Sequence, residues 1–107
     1  MATKQELVIE KYTEQLKKIG VPINKVLLET VTKGLGPANY KLDSMFVAAS
    51  DTKEIETVYK NFIIKKCGAE EKKGRKALEH AMEKFSGVRK KYRGAFYYVI
   101  AKKLGIK

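Results

Sequence analysis

Between Lys90 and Lys103 the chain reads KKYRGAFYYVIAKK, a run of aromatic and aliphatic residues bracketed by cations. Ammonium and guanidinium groups at that density can neutralise backbone phosphates, and a tyrosine among them can stack on a base. The candidate anion-binding residues are therefore Arg89, Lys90, Lys91, Arg93, Lys102 and Lys103, with Lys65 and Lys66 joining them if they pack nearby. A plainer reading stands beside this one. Tyr92, Phe96, Tyr97 and Tyr98 belong to a core helix, and the cations at its ends extend into water.

Other chemistry has little to work with. One histidine, His80, and one cysteine, Cys67, give no spaced set of metal ligands, so neither a zinc site nor a cofactor is expected. Cys67 follows Lys65 and Lys66, which would lower a thiol pKa, but an unreactive half-buried thiol is the ordinary outcome. The GLGP run at Gly34 to Pro37 lacks the phosphate-loop and dinucleotide patterns and follows no strand; its glycines suit a helix stop and a turn. An enzyme would need a cleft gathering Tyr40, Asp43, Asp51 and His80. Asp43 and Asp51 are also natural helix caps, and no catalytic activity is expected.

Charge distribution directs attention to the same end of the chain. Of a formal net charge of +11, the last twenty residues supply seven cations and no carboxylate, while cations and anions nearly cancel elsewhere. Such an excess bears on partners and solubility rather than on fold. No stretch approaches the roughly 18 uninterrupted apolar residues of a membrane span, and the start MATKQELVIEKY lacks the apolar run of a signal peptide. With a single cysteine as well, a cytoplasmic location is expected.

The elements that must position these residues read as helices. At 107 residues, with 44% hydrophobic and 33% charged side chains, the chain is expected to form one domain over 1–107 that buries roughly two-thirds of its unfolded surface. Thr3 and Glu6 have capping-box spacing, and Val8, Tyr12, Leu16 and Ile19 follow at helical intervals up to Gly20 and Pro22, predicting a helix over 4–19. Asn24 caps a shorter helix ending at Gly34. The segment Gly34 to Asp51 has no clean period and reads as turns with one or two short helical pieces.

Asp51 and Glu54 open a third helix, striped by Ile55, Val58, Tyr59, Phe62 and Ile63 and stopped at Gly68. Ile64 lies off that stripe and must meet a second neighbour or be exposed. The charged stretch AEEKKGRK reads as a hinge-like connection before a fourth stripe of Ala77, Leu78, Ala81, Met82 and Phe85. A fifth helix then begins near Val88, apolar nearly all round between Gly94 and Ala101. No alternation persists long enough for a strand. The expected architecture is all-α, a compact bundle of about five helices with the C-terminal helix at its centre.

GLGPANY, VAASDTKEIETVYKNFIIKKCG and KKYRGAFYYVIAKK together closely resemble the uncharacterised bacterial family catalogued as domain of unknown function 2853. The resemblance spans nearly the whole chain. It implies a small all-helical domain with no established activity and no catalytic or binding residues to carry over. In that family leucine often stands where this chain has Cys67, which argues against a reactive thiol. The functional expectation is a non-enzymatic binding module for an anionic partner such as nucleic acid. The alternative is a protein-interaction or accessory domain using Gly34 to Asp51 or the face around Ile64, with no nucleic-acid binding.

Overall fold

A computed structural model of the chain describes residues 4–36, 40, 46–47, 51–66, 68–88 and 90–105. The elements are α1 (Lys4–Lys18), α2 (Lys25–Leu35), β1 (Phe46–Val47), α3 (Thr52–Val58) running on as a π-helical segment (Tyr59–Lys66), α4 (Glu71–Lys84), β2 (Lys91–Tyr92) and α5 (Arg93–Leu104). The all-α expectation holds, with α5 packed against α1, α2, α4, the π-helical segment and β1.

The first helix buries Val8, Tyr12 and Leu16, spaced four apart on one face, and Ile19 follows half-buried just past its end. Its stop is chemical as well as conformational. Gly20 adopts φ 75°, its N–H donates to the Lys17 carbonyl at 3.1 Å, and the Val21 N–H reaches back to Leu16 at 3.0 Å. That is the Schellman arrangement, closed by burial of both Leu16 and Val21. The Thr3 cap lies outside the described residues.

Asn24 starts α2 as its sequence position predicts: its side-chain oxygen accepts from the Leu27 N–H at 3.2 Å. A second group completes the cap. The fully buried Tyr98 hydroxyl accepts from the Asn24 N–H and donates to the Pro22 carbonyl, each at 2.7 Å. The helix ends one residue later than expected, because Gly36, at φ 56°, supplies the stop while Gly34 sits within the last turn. Most of the irregular segment that follows lies outside the described residues, including Asp43.

Two corrections concern strands. Phe46 pairs with Tyr92 and Val47 with Lys91 in an antiparallel ladder two residues long. Lys90 to Tyr92 are therefore not helical, and α5 begins at Arg93 rather than near Val88. Aromatic packing favours the extended form there: the Tyr92 ring lies 5.0 Å from that of Phe46 and 5.5 Å from that of Tyr12.

Asp51 caps α3 through its carboxylate and the Lys53 N–H. The helix then widens into eight residues of π-helix, a form met mostly as single-turn bulges. Ile55, Val58, Tyr59 and Ile63 are buried, Phe62 is half-buried, and Ile64 is exposed. Gly68, at φ 62°, stops the segment where its sequence predicts.

The charged stretch proves to be the first turns of α4 rather than a hinge, with Glu71 favourably placed at the positive end of the helix dipole. Gly74 explains why a helix interior carries glycine. A Cβ there would come within 2.7 Å of the Ile63 side chain and 3.4 Å of the Tyr59 ring, so α4 crosses the π-helical segment at close range.

All eight residues from Gly94 to Ala101 are buried, which bears out the apolar-all-round reading of α5. Gly94 is indispensable to that burial. A Cβ on it would lie 2.1 Å from a ring carbon of Tyr12, so α1 lays an aromatic ring directly on the backbone of α5. Gly94→Ala is expected to destabilise the protein by about 1–3 kcal/mol in urea unfolding through overpacking. Gly87→Ala, where nothing lies within 4 Å, serves as the near-neutral control. Tyr98→Phe removes the hydroxyl that joins the Asn24 N–H to the Pro22 carbonyl and is expected to cost about 1 kcal/mol with the urea m-value unchanged.

A candidate anion-binding surface at the two ends of the central helix

Burial of the middle of α5 sends its cations to the ends. On the N-terminal side, Gln15 of α1 grasps the strand that leads into the helix: its side-chain N–H donates to the Lys90 carbonyl at 2.7 Å, and its side-chain oxygen accepts from the Tyr92 N–H at 2.9 Å. The backbone carrying Lys90 and Lys91 is thereby fixed. Lys90 is exposed, with its ammonium 5.7 Å from the centre of the Phe46 ring. Lys91 is half-buried and donates to the Val88 carbonyl at 2.5 Å.

Arg93 faces inward. Its guanidinium pairs with Glu54 of α3 and donates to the Tyr97 hydroxyl at 3.0 Å, while the Tyr97 ring stacks on Phe62 at 4.2 Å. Burial disfavours the charged guanidinium, but Tyr97 and Glu54 outweigh it and leave the Arg93 pKa above its ordinary value. Glu54, placed in the sequence as a capping residue, is spent on this pair. A cation so engaged ties α3 to α5 and has little charge left for a partner.

At the other end of α5, Lys102 and Lys103 meet residues of α4. A cleft of about 360 Å³ is lined by Gly20, Val21 and Pro22 of the α1–α2 turn, His80 and Lys84 of α4, and Val99, Lys102 and Lys103 of α5. His80 and Lys84 share one face of α4, being one turn apart. Among the described residues no carboxylate lines the cleft, and the ion pairs Arg75–Glu56 and Arg93–Glu54 both lie outside it.

The fold thus separates the cations named from sequence. Lys90 and Lys91 stand at one end of α5 and Lys102 and Lys103 at the other, about 18 Å apart along a twelve-residue helix. Lys65 is exposed at the end of the π-helical segment and does not line the cleft. For Lys66 only the backbone is described, and Arg89 and Cys67 lie outside the described residues. Lys84 was not among the sequence candidates and His80 was named only for an enzymatic cleft; their four-residue spacing was the available signal for this one, but nothing in it told which neighbour they would face.

Among the described residues no cluster of histidine, cysteine and carboxylate groups could hold a metal ion. Tyr40 is exposed, Asp51 caps α3, and His80 faces the lysine cleft. Among the same residues, no helix is long and apolar enough to cross a membrane.

Fold and surface define a small basic all-helical domain organised around one buried C-terminal helix. The chain belongs to the family described as protein of unknown function (DUF2853), whose model matches residues 11–107. No curated protein matches it.

The phenols around α5 carry a pH signature. Burial raises the Tyr97 pKa above the usual 10.0 against the opposing pull of Arg93, and burial, with the charges of Tyr40 and Tyr92 adding to it, raises that of Tyr12 further. A raised folded-state pKa contributes stability that is complete below the unfolded value and is lost as pH climbs through the folded one. The protein is therefore expected to lose stability above pH 10. In a near-ultraviolet phenolate titration, Tyr12→Phe and Tyr97→Phe should each remove a late-titrating component.

Proposed function

We propose that the protein is a non-enzymatic binding module, acting in the cytoplasm, that engages the phosphates of nucleic acid with little sequence discrimination. The observation that carries this reading is the pair of lysine groups at the two ends of α5, held on fixed backbone and, at the C-terminal end, in a cleft that no carboxylate lines among the described residues. Along the axis of duplex DNA each strand carries one phosphate per about 3.4 Å, so the roughly 18 Å length of α5 spans about five of them. Backbone contacts of this type give affinity and salt dependence without reading bases.

The alternative is a protein-interaction domain without nucleic-acid affinity. It draws on Ile64, which is 36% exposed on the π-helical segment.

Fluorescence anisotropy of labelled single- and double-stranded DNA and RNA, titrated at several salt concentrations, decides between them. Binding in the micromolar range is expected, with log affinity falling against log salt by about 0.9 for each phosphate neutralised on duplex DNA. Lys90→Glu with Lys91→Glu should abolish binding while leaving the helical circular dichroism unchanged. Retained affinity with the same salt slope would refute the assignment of those lysines, and absence of binding at low salt would favour the protein-interaction alternative.

A further inference from the structure

We propose that the cleft between the α1–α2 turn, α4 and α5 is a discrete subsite for one phosphate ester, carried either on the end of a nucleic-acid strand or on a free nucleotide. The inference rests on the anion-binding reading above and narrows it to a place and a ligand chemistry.

Composition of the walls comes first. His80 and Lys84 from one helix and Lys102 and Lys103 from another line one concavity with three lysines and a histidine, and among the described residues no carboxylate joins them. Three like charges around a common space repel one another, and an anion bearing two negative charges relieves that repulsion. Phosphate esters fit the description better than carboxylates, which carry one charge and offer fewer acceptor oxygens to several donors.

Size and floor narrow the class. About 360 Å³ lies at the low end of the range of small-molecule sites, roughly 300–1,000 Å³, enough for a nucleotide and too small for a duplex. Val21, Pro22 and Val99 supply apolar surface beside the cations, against which a sugar or base can rest. Low-polarity walls also strengthen each charge interaction made above them.

Rigidity makes the cleft a site rather than a coincidence of lysines. Its turn is held by the Schellman bonds at Gly20 and Val21 and by the Tyr98 hydroxyl on the Pro22 carbonyl. Val21 is 7% and Val99 2% exposed, so both are anchored in the core while contributing to the cleft. A bound group would meet walls already in place, and binding would not have to offset the ordering of a loop.

Full-length isotope-labelled protein titrated with inorganic pyrophosphate, with amide shifts followed by NMR, tests the subsite. Saturable shifts are expected at Val21, His80, Lys84, Val99, Lys102 and Lys103. Lys84→Gln with Lys103→Gln, both at exposed side chains, should weaken pyrophosphate by about tenfold or more, the loss expected of a charge-assisted hydrogen bond. Lys90→Glu with Lys91→Glu should leave pyrophosphate affinity nearly unchanged. Preference for a 5′-phosphorylated oligonucleotide over its 5′-hydroxyl form would assign the ester to a strand end, and equal affinity for adenosine monophosphate would assign it to a free nucleotide. Shifts that do not saturate, or that spread equally over Lys17, Lys18, Lys90 and Lys91, would overturn the subsite. If oligonucleotides then still bound with the expected salt slope, the broader reading would survive that result; if they too failed to bind, both would fall.

Discussion

Eight consecutive residues of α5, Gly94 to Ala101, are buried, and the rest of the molecule is arranged around that constraint. A helix buried on every side needs partners on every side. Tyr12 of α1 occupies one, α2 is hung from another through the Tyr98 hydroxyl, and Phe85 beyond α4 closes a third with its ring 5.5 Å from that of Phe96. The hydroxyls that α5 itself carries into this interior, those of Tyr97 and Tyr98, each find a defined partner, so burial leaves neither tip unpaired. The same constraint governs the electrostatics. Cations excluded from the middle of α5 can stand only at its two ends, and the split of the basic surface is a consequence of the core.

Much of this was legible because burial and periodicity are local properties. The spacing of Val8, Tyr12 and Leu16 identified α1, the polar side chains of Asn24 and Asp51 marked two helix starts, and the lack of a polar face between Gly94 and Ala101 marked the central helix. What failed was decided by partners distant in sequence. Lys91 and Tyr92 carry nothing that forbids a helix; they are extended because Phe46, Tyr12 and Gln15 meet them from elsewhere in the chain. The stretch around Gly74 looked like a connection because glycine weakens an isolated helix, whereas here its missing side chain makes room for Ile63.

The candidate surface was legible to the same degree and for the same reason. Counting charge along the chain located the cations of the last twenty residues but gave α4 almost no weight, since its lysines and glutamates nearly cancel. A running count averages over the circumference of a helix, whereas a partner meets one face. Lys84 and His80 acquire their setting only when α4 is laid across α5. Arg93 shows the converse: its neighbours in sequence suggest a cation for display, and Glu54, thirty-nine residues earlier, draws it inward.

Gln15 has a consequence beyond positioning. By giving its N–H to Lys90 and taking that of Tyr92, its side-chain amide occupies the outer rim of the two-stranded ladder as the peptide group of a third strand would. Two main-chain groups on that side, the Lys90 carbonyl and the Tyr92 N–H, are thus satisfied within the molecule. Unpaired strand rims invite edge-to-edge association between chains. One glutamine on a helix takes up part of the template for it, in the place that a further strand would need on that side.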